Sequence, residues 1–457
     1  MSFVAQLSDA VWNPWLLGLF LVVGGYYSLR TGFFQLFNCR LWLRVAVGGM
    51  FRRSEKGKRN GVTQLQAMAT ALAATIGTGS IAGVATAIYF GGPGAVFWMW
   101  LSTFLGMMTG FAEKTLAVRY RRLTSEGWKG GPMCYMEDGL GQKWMAKIFS
   151  LVLILQTLTG GGMVQANSIA TTLGVSFGWD RLLIGAVTAL LTGGVVLGGI
   201  KRIGRVSELL VPVMAALFIG GGIVVLAVNY RAIPGALRDI LLYAFQPKAV
   251  MGGYSAAAAL RYGVARGVFT NEAGMGSSAI AHAAAEESEP VEQGMRGIFE
   301  VFFATLVICT VSAMVILTSG IYTVEGALNT IATGKVTDKV VGAPLTAASF
   351  AVVLGRHGYT LVAVCLVMFA FTSLLGAGFY GQRGLESLLG GKAALRIYQL
   401  MFLLSVVAGS VGEVKEVWEL ADLFNGLLAL PNLIALMLLS PEVIQMLRDW
   451  KSKNVGR

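Results

Sequence analysis

Apolar runs of about twenty residues recur from one end of the chain to the other, separated by short polar and basic stretches. A hydrocarbon core about 30 Å thick takes roughly twenty helical residues to cross. The pattern predicts eleven crossings: Val11–Leu29, Thr63–Phe90, Ala95–Val118, Trp144–Thr172, Leu182–Ile200, Glu208–Asn229, Tyr262–Ala285, Met295–Gly320, Gly358–Gly381, Leu395–Val411 and Val417–Leu439. Pro344–Leu354 is apolar but short and close to the next run, and is expected to lie on the protein as an external helix.

Two of the runs are interrupted in their middles. Ala67–Tyr89 carries Thr75-Ile76-Gly77-Thr78-Gly79-Ser80, and Gly267–Ala285 carries Asn271-Glu272-Ala273-Gly274-Met275-Gly276 followed by Ser277 and Ser278. Each glycine costs a helix interior about 1 kcal/mol relative to alanine. Backbone groups released by a break cannot face hydrocarbon and are tolerated where they line a cavity or meet a ligand. Each run therefore reads as two half-helices meeting at an unwound joint. Such a joint offers carbonyls from one half and amides from the other, a site for a cation and an anion side by side. Paired interruptions in the two halves of a membrane protein point to a transporter's binding site near the bilayer midplane.

The interrupted runs are the second and the seventh, so they cross in opposite directions. Runs two to six and seven to eleven then form an inverted pair of five-helix repeats, preceded by one extra helix. The expected division is 1–62 for the extra helix and a basic loop, 63–229 for the first repeat and 230–261 for an external connector. Residues 262–440 make the second repeat and 441–457 a cytoplasmic tail. Basic residues agree with this. Arg30, Arg40, Arg44, Arg52, Arg53, Lys56, Lys58 and Arg59 crowd the first loop, and later alternate loops are also basic, which predicts an outside N-terminus and an inside C-terminus. Glu286, Glu287, Glu289 and Glu292 form an acidic exception on the inside.

Composition narrows the function classes. The chain is 55% hydrophobic and 13% charged with mean hydropathy +0.67, whereas a soluble domain has about 25% charged residues. The net charge of +12 therefore belongs to cytoplasmic loops rather than to a nucleic-acid surface. Met1–Asp9 lacks the basic start of a cleavable signal. Cys39, Cys134, Cys309 and Cys365 have no paired spacing and there are two histidines, so neither a disulfide nor a metal centre is expected. No nucleophile–base set or phosphate loop is evident, and Gly77-Thr78-Gly79 lacks the Gly-Lys that would follow in a nucleotide loop; an enzyme is not expected.

Three blocks carry a resemblance: ATIGTGSIAGVATAIYFGGPGAVFWMW (Ala74–Trp100), GGPMCYMEDGLG (Gly130–Gly141) and GVFTNEAGMGSSAIAHAAA (Gly267–Ala285). In this order they resemble the alanine or glycine:cation symporter family, and the similarity runs nearly end to end. The resemblance implies an all-α membrane protein with a leucine-transporter-like fold, taking up alanine or glycine with Na⁺ across the cytoplasmic membrane. Proton coupling on the same fold, or a membrane-embedded amino-acid sensor, are the rival readings.

An amino-acid zwitterion needs a positive end for its carboxylate and acceptors for its ammonium. The amides opening the second half-helix at Gly77, Thr78, Gly79 and Ser80, next to Thr75, suit the carboxylate; close helix packing through small residues is the other use for such glycines. Asn271 and Glu272 precede the second joint. Glu272 can accept from the ammonium, cap the broken helix, or pair with Arg266, while Gly274 and Met275 would shape the pocket. For Na⁺, the Phe369 carbonyl and the Thr372 and Ser373 hydroxyls can converge, since side chains lean toward the helix N-terminus. Carbonyls of Ala73 and Ile76 would complete an all-oxygen shell, between the two helices where the family's fold puts its sodium. Hydrogen bonds back to carbonyls one turn earlier are the alternative for Thr372 and Ser373. Glu113 is expected to face Lys114, Arg119 or a loop charge, and His282 to be a hydrogen-bonded packing residue.

Overall fold

A computed structural model describes residues 3–50, 61–124, 127–246, 255–286, 289–332 and 341–454. The basic positions Arg52, Arg53, Lys56, Lys58 and Arg59, and Glu287 of the acidic run, lie outside the described residues. The described chain is mostly helical, with one small hairpin in which β1 (Arg122–Thr124) pairs antiparallel with β2 (Gly127–Lys129).

Helix α1 (Pro14–Arg30) precedes the first interrupted run, which forms α2 (Gln64–Thr75) and α3 (Ala82–Gly91). A capping box starts α2: the Thr63 hydroxyl accepts from the Gln66 amide while the Gln66 side chain accepts from the Thr63 amide. Then follow α4 (Gly94–Arg119), α5 (Lys143–Gln156), α6 (Val164–Phe177), α7 (Arg181–Val196), α8 (Gly199–Val228) and α9 (Ile233–Ala244). The second interrupted run gives α10 (Ala256–Asn271) and α11 (Ala279–Ala283). Next come α12 (Pro290–Val301), α13 (Thr310–Thr318), α14 (Ala343–Leu354), α15 (Arg356–Leu388), α16 (Lys392–Val411), α17 (Val414–Leu438) and α18 (Ser440–Lys453).

Seven stretches among the described residues are long and apolar enough to cross a membrane, from Gly94–Arg119 to Val414–Leu438. The helices carry exposed leucines and valines such as Leu190, Leu209 and Val228, while Glu113, Lys114, His282 and Glu300 are buried inside. That is the reverse of a soluble protein and fits a bundle solvated by lipid.

Some elements differ from expectation. The connector 230–261 contains α9, whose Ala244 carbonyl takes the Trp98 indole N–H at 3.0 Å, which ties α9 to α4. Trp100 likewise donates inward, to Thr310 at 2.9 Å. The long crossing after the hairpin is not uniform: Thr157–Met163 winds into wider turns between α5 and α6. Such bulges release backbone groups and often mark functional positions. The expected external helix is α14, and its Thr346 hydroxyl donates to the Ile81 carbonyl at the first break, 3.1 Å away.

Candidate functional site

Both interruptions are real breaks, and they face each other. The first leaves the helix at Ile76 and Gly77 and restarts through a short turn at Thr78–Ser80. The second leaves at Glu272, whose φ of 54° is left-handed, and passes through Gly274 (φ 96°) and Gly276 (φ 77°). Glycine adopts such angles freely, whereas a left-handed glutamate is a local strain that surrounding contacts must hold in place. Between the breaks lies a cavity of ≈ 30 Å³.

Of the substrate residues read from the sequence, Thr75, Gly77, Gly79, Glu272 and Met275 line this cavity. Thr78 contributes its amide, which donates to the Gln165 Oε1 at 3.3 Å. Ser80 is turned into the helix contact: its carbonyl accepts from Ser312 at 2.6 Å. Asn271 faces away. Its amide nitrogen donates to Thr103 and Thr305, each at 3.2 Å, and its oxygen takes the Ala273 N–H at 3.0 Å, so it caps the break. Gly274 also points away, with its N–H on Glu113 at 2.9 Å and its carbonyl on Asn432 at 2.9 Å. Glu272 does not pair with Arg266. It accepts from Ser277, and Arg266 instead makes two bonds to Asp422, at 2.9 and 2.8 Å.

The expected role of the two glycines changes in one respect. A Cβ on Gly77 would sit 2.5 Å from the Ser373 hydroxyl, and one on Gly79 would sit 2.7 Å from the Thr270 hydroxyl and 2.8 Å from the Phe269 ring. Their bareness therefore serves contact with α15 and α10 as well as access to the cavity.

The predicted cation ligands come from the end of α2 and from α15. Ser373 Oγ lies 3.1 Å from both the Ala73 and the Ala74 carbonyls, released at the end of α2. Thr372 Oγ1 bonds back to the Phe369 carbonyl at 3.0 Å and lies 3.6 Å from Met214 Sδ. The back-bonding alternative thus holds for Thr372 and fails for Ser373, which reaches across to the other helix. Ile76 caps α2 at the edge of this oxygen group. Neutral hydroxyl and carbonyl oxygens of this kind suit a hard monovalent cation.

Sequence reasoning missed the far wall of the cavity: Gly160 and Gly161 on the widened turns, Gln156 and Gln165 on the helices either side of them, Tyr380 on α15, and Asn425 on α17. Gln156 donates to Asn425 at 3.0 Å. The signal was present in Gln156-Thr157-Leu158-Thr159-Gly160-Gly161-Gly162, a polar and glycine-rich run inside an apolar crossing. Also missed was Glu300, the partner of both His282 (2.9 Å) and Lys114 (3.6 Å). Glu113 is fully buried and bound by Lys114 at 3.3 Å, the first of its expected partners.

The model of the sodium:alanine symporter family matches residues 1–456. The chain is 40% identical over 449 residues to the sodium/alanine symporter AgcS of Methanococcus maripaludis, covering 97% of this chain and 96% of that one. It is 37% identical over 455 residues to the probable sodium/glutamine symporter GlnT of Bacillus subtilis, covering 99% and 91%. Among solved structures it resembles MhsT in complex with L-phenylalanine, with TM-score 0.56 at 16% identity over 84% of this chain and 90% of that one. A manganese transporter of Eremococcus coleocola is similar at TM-score 0.53 and 16% identity, covering 87% and 81%. These neighbours are transporters of the leucine-transporter fold, and a sequence match of this extent makes the protein a multi-pass membrane transporter, not an enzyme. From its first crossing to its last, the chain belongs to the sodium:alanine symporter family.

Proposed function

We propose that the protein imports small neutral amino acids, alanine and glycine, in symport with Na⁺ across the cytoplasmic membrane of a bacterium or archaeon. On this reading the eleven crossings form two inverted five-helix repeats behind one extra helix, with the N-terminus outside. Alternating access then moves the two broken segments around a central cavity.

The carrying observation is the small cavity between the breaks, with an amide pole on one wall and a carboxylate on the other. The Thr78 amide now holds the Gln165 carboxamide oxygen, a neutral oxygen where a substrate carboxylate oxygen would bind. Glu272 and the Thr270 hydroxyl offer acceptors to the ammonium. Phe269 and Met275 close the remaining side, leaving space for a hydrogen or methyl group rather than a long side chain. Na⁺ would bind among Ala73, Ile76, Phe369, Thr372 and Ser373, where it would tie α2 to α15. The likeness to a protein named as a sodium/alanine symporter supports the substrate and the ion.

The test is uptake of radiolabelled alanine and glycine into proteoliposomes under one gradient at a time. Accumulation driven by a Na⁺ gradient alone is the expected result. Accumulation driven by a pH gradient and indifferent to Na⁺ would replace this reading with proton symport.

A further inference from the structure

Around the second break, buried titratable groups meet from several elements. Glu113 and Lys114 come from α4, Glu300 from α12 and the Tyr380 phenol from α15, within reach of Glu272 at the break itself, and His282 of α11 joins the group through Glu300. Hydrogen bonding fixes the state of His282. Arg296 Nη1 donates to Gln293 Oε1 at 3.0 Å, which turns the Gln293 amide nitrogen toward His282 Nδ1, 2.7 Å away. An amide nitrogen only donates, so Nδ1 accepts, and the ring hydrogen sits on Nε2 and goes to Glu300 at 2.9 Å. His282 is therefore a neutral imidazole.

Lys114 is then the one cation directly paired inside this group, shared between Glu113 at 3.3 Å and Glu300 at 3.6 Å. Arg296 lies at its outer edge and turns to Gln293 and Glu292. With all three carboxylates ionised, Glu113, Glu272 and Glu300 set three negative charges against one lysine. Uncompensated charge in a low-dielectric interior is costly, and the group neutralises instead. The carboxylates are not equally placed to do so. Glu113 accepts from the Gly274 amide, Asn432 and Lys114, and Glu300 accepts from His282 and Lys114. Glu272 accepts from the Ser277 hydroxyl and faces the cavity. A second observation marks the same place for a polar ligand: Tyr380, 1% exposed, lines that cavity, and its hydroxyl has no hydrogen-bond partner among the described residues, nor has the Asn425 amide nitrogen.

We propose that Glu272 is a proton-binding site and that the substrate ammonium displaces its proton. This rests on the reading that the cavity takes an amino acid. The exchange is balanced: the Glu272 carboxyl releases one proton to solution as the substrate's ammonium seats against the carboxylate left behind, and no other bond changes. The carrier that returns empty then returns protonated, so protons move opposite to the amino acid.

The test uses the purified full-length protein at saturating Na⁺. Alanine binding is measured from pH 5 to 9, and proton release on alanine addition is followed with an indicator dye in weak buffer. One displaced proton predicts affinity that rises about tenfold per pH unit on the acid limb and then levels, with about one proton released per alanine on that limb. Glu272→Gln should release no proton and bind with a flat pH profile; Glu272→Asp should keep release and shift the midpoint. Wild-type binding that is flat with pH and releases no proton overturns the proposal, as does undiminished release from Glu272→Gln. A wild-type protein that binds no alanine at any pH overturns the transport reading as well, which separates the two failures.

Discussion

Ser373 and Thr372 are neighbours on one helix, yet their hydroxyls do different work. Ser373 spans from α15 to the Ala73 and Ala74 carbonyls at 3.1 Å, and Thr372 bonds within its own helix to Phe369. Ser373→Ala removes the oxygen that joins the two helices. The Na⁺ concentration for half-maximal alanine binding should rise about tenfold or more, equivalent to about 1.4 kcal/mol. Reciprocal coupling requires that high Na⁺ restore the alanine affinity; alanine binding at a series of Na⁺ concentrations checks this, with Thr372→Val expected to shift less. Gly77→Ala should mimic the loss, because its Cβ would press on the Ser373 hydroxyl at 2.5 Å. A Gly77→Ala protein with parental Na⁺ dependence would count against the oxygen cluster as the ion site. At this scale the sequence disclosed the residues of the breaks, whose glycines and hydroxyls are out of place in a crossing. It did not disclose Gln165, Tyr380 or Asn425, because single polar residues on long apolar helices look alike until the helices are packed. Asn271 was assigned to the pocket by proximity in sequence; the left-handed turn at Glu272 sends the two neighbouring side chains in opposite directions.

The second broken segment is anchored on two sides, and on one of them to the first. On one side Arg266 of α10 clasps Asp422 of α17 and stacks over Trp418 at 5.0 Å, while Phe269, a cavity wall, packs on Trp418 at 5.2 Å. On the other side the chain before α2 is zipped to the chain after α11. Val62 N–H bonds to the Ala284 carbonyl at 3.2 Å and the Glu286 N–H to the Val62 carbonyl at 2.9 Å, forming a parallel bridge between Val62 and Ala285. Arg121 closes over it through the Ala283 and Ala285 carbonyls and lies on the Trp128 ring at 4.0 Å. If both breaks must part for the cavity to open on this side, locking the bridge should stop transport and spare binding. Bridge-paired residues fall in the Cα range of about 4.4–6.8 Å that a disulfide spans. A Val62→Cys/Ala285→Cys protein, oxidised, should therefore lose uptake, keep alanine binding, and regain uptake on reduction. Undiminished uptake by the crosslinked protein would show that the bridge stays closed throughout the cycle. The half-helices were legible from Gly-x-Gly in each run. The bridge was not, since Gly61–Thr63 and Ala283–Glu286 have no strand pattern and pair only because both breaks place their ends together.

Across the whole molecule, the two closures differ in kind. An ion pair with aromatic cover closes the Arg266–Asp422 side, and backbone hydrogen bonds under Arg121 close the side next to the basic first loop. On the proposed orientation the second of these lies in the cytoplasm, and the native cysteines give a direct check. Cys39 follows α1 and is exposed, whereas Cys134, Cys309 and Cys365 are buried. In sealed cells a membrane-impermeant maleimide should leave the wild-type protein unlabelled. Permeabilisation should then expose Cys39, and Cys39→Ser should abolish that labelling. In the Cys39→Ser background, Ala232→Cys, at the exposed turn before α9, should label without permeabilisation. Labelling of Cys39 from outside intact cells, with Ala232→Cys protected, would invert the molecule. The ion pair would then guard the cytoplasm and the backbone bridge the exterior, and the two broken segments would have to open in the opposite order to carry an amino acid inward.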